Sequence, residues 1–191
     1  MIKSKAELRE FLIQDAKANR RTKLSANFFG DEIWKFMLAM RKLDYYSYKK
    51  NSNPLFIPSY FFCKFRYHNI SVKLGFSIPF NVCDKGFSVS HYGTVVINET
   101  ARIGKNCRVH SNVVIGATNG QTASPKLGDN VFLGAGAKVI GDISIADDVC
   151  IAAGAVVVKS IEENNTTWGG VPAKKISDNG SKECLSPLLF E

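Results

Sequence analysis

Aliphatic side chains recur every six residues through the second half of the chain. The series runs from Ile97 to Ile115 and resumes, in the same phase, from Leu127 to Val157. Ten positions share this phase: Ile97, Ile103, Val109, Ile115, Leu127, Leu133, Val139, Ile145, Ile151 and Val157. A period of six matches neither the 3.6-residue period of an α-helix nor the alternation of a strand, and it is typical of hexapeptide β-helices.

Small residues accompany the repeat at a fixed position. The residue after the aliphatic is often Gly or Ala, as at Gly104, Gly116, Gly128, Gly134, Ala146 and Ala152. Each hexad would supply one short strand and one tight corner, and three hexads would close a triangular coil with the aliphatic side chain inside. Residues 97–162 therefore predict three to four coils, stacked about 4.8 Å apart as paired strands are.

The repeat is interrupted once, at residues 117–126. Continuing the phase would place Gln121 inside the coil, and the same frame would turn Pro125 inward. Polar sequence with Gly and Pro is typical of loops, so we expect this segment to leave the coil. A plain surface insertion is one reading, and a loop that carries binding residues on a rigid scaffold is the other.

Helical patterns replace the repeat in residues 1–73. Ser4–Glu7 resembles a capping box, and a second helical run follows Gly30–Glu32. Residues 51–58 indicate a linker, and the aromatic, basic stretch 55–73 predicts a helix that caps the open end of the coil. A nucleic-acid surface is the alternative for these aromatic residues, but no nucleic-acid motif accompanies them, and we expect no nucleic-acid partner.

Charge separates the same two parts. Residues 1–75 hold 15 Lys and Arg against 6 Asp and Glu, whereas residues 76–191 hold 10 against 11. The basic first part could hold the protein near anionic lipid or a membrane-linked acidic glycan, and a surface that binds neither is the alternative. No apolar signal segment or membrane-spanning stretch is visible, so we expect a cytoplasmic protein, at most peripheral at the inner face of the plasma membrane.

Composition and cysteine usage exclude several classes. With 45% hydrophobic and 22% charged residues, the chain matches a globular protein rather than a disordered or fibrous one. Its five Cys are odd in number and form no CxxC pair, which argues against a disulfide framework or a zinc site. We expect reduced thiols and no metal.

Three histidines are the candidates for acid–base chemistry. His68 lies in the basic aromatic stretch, where a structural role is expected. His91 precedes the phased hexads, and His110 follows the inward Val109. Because His91 and His110 are 19 residues apart, about one coil, stacking would bring them together on one wall.

Four segments in order resemble the serine acetyltransferases: 91–104, 125–129, 134–139 and 170–176. The resemblance covers about residues 74–177. It implies a mainly β fold, a left-handed parallel β-helix of hexapeptide repeats with an N-terminal α-helical region, acetyl-CoA as donor, and a homotrimer. We therefore expect a basic α-helical region at 1–73, the acetyltransferase domain at 74–177, and a C-terminal tail at 178–191.

Departures from those enzymes bear on the acceptor. Where they have Asp before the catalytic His this chain has Ser90, and where they have Arg-His before Pro-Lys it has Ala123 and Ser124. The acidic residue that they place about fifteen positions upstream would fall near Phe76 or Ser77. The short helical start instead resembles that of O-acetyltransferases of surface-polysaccharide synthesis, which implies a sugar or glycan hydroxyl as acceptor.

The resemblance also assigns roles to residues of this chain. His91 would be the general base, oriented by a backbone carbonyl or by Glu99, and His110 would orient the acceptor or His91. Coenzyme A would lie between subunits, against these residues: Gly116, Ala135, Ala153, Lys159, Lys174 and Lys175. Ordinary solvated surface is the alternative for the lysines.

Three other functions remain open at this point. Serine O-acetylation in cysteine biosynthesis is the first, and a non-catalytic β-helix scaffold is the second. A γ-type carbonic anhydrase is the third, but that enzyme needs three zinc-binding His, and only His91 and His110 lie in the repeat region.

Overall fold

The computed structural model describes residues 1–118, 120 and 122–191. In this part of the chain, three α-helices come first: α1 Lys5–Ala18, α2 Glu32–Ser52 and α3 Ile57–Leu74. None of the helices described is both long and apolar enough to cross a membrane.

Local sequence explains how the helices begin and end. The Ser4 hydroxyl accepts a 3.1 Å hydrogen bond from the Glu7 N–H and begins α1, so the predicted N-cap is confirmed. The Glu7 carboxylate accepts from the Lys3 N–H at 2.7 Å, so the capping box is displaced by one residue on that side. The backbone of Gly75, at φ 77°, ends α3 in the left-handed conformation that glycine adopts readily. The predicted linker at 51–58 is wrong over most of its length. Residues 51–52 still belong to α2, and a 3₁₀ turn, Pro54–Phe56, leads directly into α3.

Short strands follow α3 as far as Ser177, and two 3₁₀ turns, Lys182–Cys184 and Pro187–Leu189, come after them. The strands are β1 Phe76–Ser77, β2 Ser88–Val89, β3 Val95–Ile97, β4 Arg102–Ile103, β5 Arg108–Val109, β6 Val113–Gly116, β7 Lys126–Leu127, β8 Phe132–Leu133, β9 Lys138–Ile140, β10 Ser144–Ile145, β11 Cys150–Ile151, β12 Val156–Val157, β13 Thr167–Gly169 and β14 Lys174–Ser177. Sheet 1 has the order β1-β3-β6-β9-β12, sheet 2 the order β10-β7-β4, and sheet 3 the order β14-β13-β11-β8-β5-β2.

The chain visits the three sheets in turn, so it winds as a parallel β-helix. The pairing of Phe76 with Val95, and of Cys150 with Thr167, shows that the coil extends on both sides of the phased segment. It therefore has more coils than the three to four that the phase of residues 97–162 predicts. The six-residue pattern misses the first coil because Phe76, Phe87 and Val89 fill it out of phase.

All ten residues of the six-residue phase are buried, none more than 5% exposed, which confirms the inward aliphatic ladder. Burying a side chain of this size contributes about 1.5–3 kcal/mol relative to exposing it. The small residues after them are explained by close stacking. A Cβ on Gly104 would lie 2.4 Å from the carbonyl oxygen of Gly128, and one on Gly134 would lie 2.6 Å from the N atom of Ala153.

The predicted loop falls between β6 and β7, except that its last predicted residue, Lys126, begins β7. Asn119 and Gln121, which belong to that prediction, lie outside the described residues. Ser124 is 2% exposed, and its hydroxyl accepts a 2.9 Å hydrogen bond from Thr100. The end of the segment is therefore tied back to the coil.

A buried ionic cluster docks the helices on the first coil. Arg41 of α2, 1% exposed, donates to the Asp15 carboxylate of α1 at 2.7 and 3.1 Å and to Asp44 at 3.3 Å. Its remaining donors reach the carbonyl oxygens of Cys83 and Asp84, both at 2.7 Å. Burial opposes the charge of the guanidinium, but the Asp15 and Asp44 carboxylates act together in the other direction, and the pKa of Arg41 is raised.

The Asp15 carboxylate completes this junction from the other side. It accepts hydrogen bonds from the N–H groups of Gly86 and Phe87 at 2.8 and 3.1 Å. Burial raises the pKa of Asp15, while the Arg41 charge acts in the opposite direction. Both buried charges, the Arg41 guanidinium and the Asp15 carboxylate, therefore have hydrogen-bond partners, as buried charges require.

The aromatic residues of α3 do not all cap the coil, which corrects the prediction for the 55–73 stretch. Tyr60 and Cys63 are buried on one side of the helix, whereas Phe61, Phe62 and Phe65 are 60–65% exposed. A helix presents only one stripe to its neighbours, so a run of aromatic residues along it cannot all face inward.

The C-terminal segment returns along sheet 3. Strand β14 pairs antiparallel with β13, and the Ser181 N–H then donates to the carbonyl oxygen of Asp148 at 3.0 Å. Ser181 and Leu185 are at most 2% exposed. Residues 178–191 therefore contain anchored segments that pack against the coil.

Candidate active site

His91 and His110 lie side by side on neighbouring coils. Strand β2 ends two residues before His91, strand β5 ends directly before His110, and Val89 pairs with Val109 in register. The two imidazole rings meet edge to face with centroids 5.3 Å apart. The proximity predicted from their 19-residue separation is confirmed, and His68 lies apart from them on α3.

His110 is the more enclosed of the two rings. It is partly buried, whereas His91 is exposed, and the Phe132 ring packs edge to face against it at 5.1 Å. Partial burial lowers the pKa of His110, and the positive charge of Arg108 and the neighbouring His91 lower it further. The lowered pKa favours the neutral form of His110, in which one ring nitrogen can accept a hydrogen bond.

Arg108 connects this pair to two other segments. Its Nε donates to the Ser90 hydroxyl at 2.9 Å, and its Nη1 donates to the carbonyl oxygen of Cys184 at 3.2 Å. Sequence reasoning missed Arg108, since an arginine beside an inward valine looks like ordinary surface. The signal that could have found it is its position, 18 residues after Ser90 and therefore one coil away.

Of the two orienting partners predicted for His91, a backbone carbonyl and Glu99, the Glu99 side chain does not contact it through a hydrogen bond. Glu99 lies beyond strand β3, and no hydrogen bond between its side chain and either histidine is present in the described residues. Ser90, which stands where the serine enzymes have Asp, is held by Arg108 instead.

The turns that link sheet 3 to sheet 1 stack into one edge, which we call the histidine edge: residues 90–94, 110–112, 134–137 and 152–155. Backbone hydrogen bonds join successive turns. Gly136 N–H donates to Ser111 O at 2.9 Å, and Gly154 N–H donates to Ala135 O at 2.8 Å. The histidines and the predicted coenzyme-binding Ala135 and Ala153 therefore share this edge.

Ala135 and Ala153 fit an elongated ligand that carries amide groups. Both residues are exposed and lack a bulky side chain. Their backbone N–H groups form no hydrogen bond within the described residues, so both can donate to a ligand. Two such donors on adjacent coils suit the amide carbonyls of a pantetheine chain lying along the edge.

The other predicted coenzyme contacts lie elsewhere on this subunit. Gly116 ends β6 and Lys159 follows β12, both at the corner between sheets 1 and 2. Lys174 and Lys175 lie on β14 and are exposed. The Lys175 ammonium already pairs with Asp178 at 2.6 Å and with Glu163, so a phosphate would have to displace them.

No set of three His, Cys, Asp or Glu side chains in the described ranges has an arrangement suited to a metal ion. The free cysteines among these residues are mostly buried, and burial raises the pKa of the Cys107 thiol to about 12.

Comparison with known proteins assigns the fold to a class. Residues 124–159 match the family described as bacterial transferase hexapeptide (six repeats). No curated protein matches the chain. The serine acetyltransferase of Brucella abortus strain S19 superposes with a TM-score of 0.71 at 27% identity, over 93% of this chain and 72% of that one.

Two further structures show the same similarity. The Neisseria gonorrhoeae serine acetyltransferase in complex with serine has a TM-score of 0.71 at 25% identity, covering 91% of this chain and 71% of that one. The Brucella abortus enzyme in complex with coenzyme A has a TM-score of 0.68 at 24% identity, covering 93% and 71%. The fold is the left-handed β-helix of the hexapeptide-repeat acyltransferases, with three helices before it.

Proposed function

We propose that this chain is an O-acetyltransferase that moves an acetyl group from acetyl-CoA to a hydroxyl group. The observation that carries the proposal is the pairing of His91 with His110 at one end of the histidine edge, with free N–H donors of Ala135 and Ala153 further along it. The similarity to serine acetyltransferases, one of them in complex with coenzyme A, supports the same reaction class.

The exposed His91 serves as the general base in this proposal. It takes the proton of the acceptor hydroxyl while that oxygen attacks the thioester carbonyl. When the C–S bond breaks, the acetyl group stays on the acceptor oxygen, and the leaving thiolate takes the proton from the imidazolium. Backbone N–H groups of the turns can donate to the developing oxyanion, each contributing roughly 10²–10³ in rate where well placed.

His110 acts beside the base rather than as the base. Its partial burial, together with Arg108, holds the pKa of His110 below the ordinary value, which favours its uncharged form. A neutral ring 5.3 Å from His91 can hold either the acceptor hydroxyl or the His91 ring in place.

The coenzyme site is proposed to form between subunits of a homotrimer. Gly116 and Lys159 lie at one corner of the coil and Ala135 and Ala153 at another, so one subunit alone does not bring them together. Neighbouring subunits around a threefold axis would juxtapose these two corners. A sedimentation mass near three chains of 21.1 kDa is expected, and the mass of one chain at micromolar concentration would contradict it.

Serine is the acceptor that the comparisons favour. One of the similar structures is a serine acetyltransferase in complex with serine. This alternative thus has better support from known structures than a sugar acceptor has.

The second candidate acceptor is a sugar hydroxyl of a surface polysaccharide or its precursor, and the site residues favour it. Ala123 and Ser124 carry no charge for the carboxylate of an amino acid, and the Ser124 hydroxyl is bonded to Thr100. Ser90 likewise offers no negative charge for an amino group. A sugar acceptor has neither a carboxylate nor an amino group, so it needs neither of these charged partners.

The test is acetyl-CoA consumption with product identification, using serine, simple sugars, nucleotide-linked sugars and lipid-linked oligosaccharides in parallel. Turnover that yields an O-acetyl ester with one acceptor class supports the proposal and names the class. Failure to turn over any acceptor, together with no gain in melting temperature at saturating acetyl-CoA, would support the scaffold alternative instead.

The predicted cytoplasmic location also stays a proposal. Fractionation of cells that express the full chain would test it, with recovery in the cytosolic or the peripheral inner-membrane fraction as the expected result.

A further inference from the structure

Helix α3 carries a patch of exposed aromatic side chains that the proposed reaction does not use. Phe61, Phe62 and Phe65 are 60%, 62% and 65% exposed. Residues three and four apart on a helix are neighbours on its surface, so the three rings form one surface, which we call the aromatic face. The nearby aliphatic residues Leu55 and Val72 are 82% and 68% exposed as well. Apolar clusters of this kind mark interaction surfaces.

The charge around the aromatic face has one sign. Between Asp44 and Asp84 the chain contains no acidic residue. The same stretch contains five basic residues: Lys49, Lys50, Lys64, Arg66 and Lys73. Three of these lie on α3 itself, so the helix combines exposed apolar rings with positive charge and no negative charge.

Two cavities beside Phe62 extend this pattern. One, of about 690 Å³, lies among α1, α2 and α3, and the other, of about 410 Å³, lies next to the loop before α2. Phe62 and Lys42 line both. The basic residues that line one or both are Lys5, Arg9, Lys35, Lys42 and Arg66, and no acidic residue lines either. These cavities suit phosphate groups at the rim and apolar chains within.

We propose that the aromatic face docks on an anionic lipid bilayer, with Phe61, Phe62 and Phe65 inserted among the acyl chains and the basic residues against headgroup phosphates. Large apolar side chains beside Lys and Arg are the composition of helices that lie in the membrane interface.

Other occupants fit this surface less well. A second copy related by a twofold axis would set one acid-free basic surface against another, which like-charge repulsion opposes. A single-stranded nucleic acid would stack on the phenylalanines but has no use for exposed Leu55 and Val72. The acyl region of a bilayer accommodates both kinds of side chain, and its headgroup phosphates complement the basic residues.

Docking would place the candidate active site close to the membrane. The carbonyl oxygen of Leu74, the last residue of α3, accepts a 3.4 Å hydrogen bond from the N–H of Gly93, two residues from His91. Nine residues separate Phe65 from Leu74, about 14 Å along the helix axis. A lipid-linked acceptor would then be within reach, and this consequence alone rests on the proposed function.

Co-sedimentation of the full chain with vesicles tests the docking. The vesicles are phosphatidylcholine alone or with about one third phosphatidylglycerol, at low and high salt. We expect binding only to the anionic vesicles, with loss at high salt. Phe61→Ser combined with Phe65→Ser should weaken binding at least tenfold, and Lys64→Gln, Arg66→Gln and Lys73→Gln together roughly a hundredfold.

Matched controls make the result specific. Arg102→Gln, Lys105→Gln and Lys126→Gln remove the same charge from the β-helix and should leave binding within twofold. Phe190→Ser removes an exposed ring from the C-terminal segment and should also leave vesicle binding within twofold of the parent.

Three outcomes would overturn the docking proposal. The first is no binding to anionic vesicles at low salt, and the second is an equal loss of vesicle binding in the α3 and the β-helix variants. The third is self-association or oligonucleotide binding that the α3 substitutions abolish, in a protein that does not bind vesicles. Acetyl transfer to a soluble acceptor is measured separately, so failure of docking and failure of the proposed reaction are distinguishable.

Discussion

The winding segment from Phe76 to Gly169 and the three helices before it are held together by different interactions. The coil repeats one apolar position, and each turn buries an aliphatic side chain against the next. The helices dock on its first turns through Arg41, Asp15 and Asp44 as well as through apolar contacts. A repeated apolar contact can lose one member and keep the rest, whereas a buried charge depends on all of its partners.

Breaking the ionic cluster should have the largest effect on stability. Arg41→Met leaves Asp15 buried and without its counter-charge, and it also removes the donors to the carbonyl oxygens of Cys83 and Asp84. We expect the free energy of unfolding to fall by about 3–5 kcal/mol, measured by urea denaturation.

The matched control is Lys85→Met. Lys85 forms an ion pair with Glu10 in which the side chains are 30% and 58% exposed. Exposed pairs contribute about 0–1 kcal/mol, so this variant should be nearly as stable as the parent. Equal losses of unfolding free energy in the two variants would show that the buried Arg41 cluster stabilises the protein no more than an exposed ion pair does.

The second prediction concerns the apolar ladder. Leu133 is fully buried inside the coil, and Leu133→Ala should cost about 2–4 kcal/mol through lost burial and the cavity it leaves. Leu55→Ala, at a site 82% exposed, should change stability by less than about 0.5 kcal/mol. A loss from Leu133→Ala larger than that from Arg41→Met would reverse the contrast between the two regions.

The sequence predicts the coil far better than its junction with the helices. Ten inward positions are visible because the period repeats them, and the closeness of His91 and His110 follows from the same period. Arg41 and Asp15 are 26 residues apart with no pattern to link them, and charged residues are ordinarily exposed. The contact of Arg108 with Ser90 does follow the coil period, but its contact with Cys184 depends on where the C-terminal segment returns, which no pattern shows.

The third prediction is smaller and concerns pH. Partial burial, with the Arg108 charge and His91, holds the pKa of His110 below the ordinary value. Arg108→Met removes one of these causes, so the pKa of His110 should rise, and activity should fall at a higher pH on the acid side. Titration of the His110 ring by NMR and a kcat/KM profile measure this, with Arg102→Met as control. An unchanged His110 titration in Arg108→Met would contradict it.

The lowered pKa of His110 also makes the stability of the folded protein depend on pH. The unfolded chain binds a proton at His110 more readily than the native protein does. This contribution to stability is therefore fully present above the ordinary histidine pKa of about 6.5 and is lost as the pH falls below it. Thermal denaturation of the parent and of His110→Gln between pH 5 and 8 measures the difference, and identical pH dependence would contradict it.

The most direct test of the proposed active site is the turnover of His91→Ala on the acceptor identified for the parent protein. If His91 takes the proton, kcat should fall by about 10²–10⁴ while acetyl-CoA affinity and melting temperature stay close to those of the parent. His110→Ala should lose roughly tenfold, and His68→Ala should keep full turnover. Full turnover by folded His91→Ala would contradict the assignment of His91 as the base.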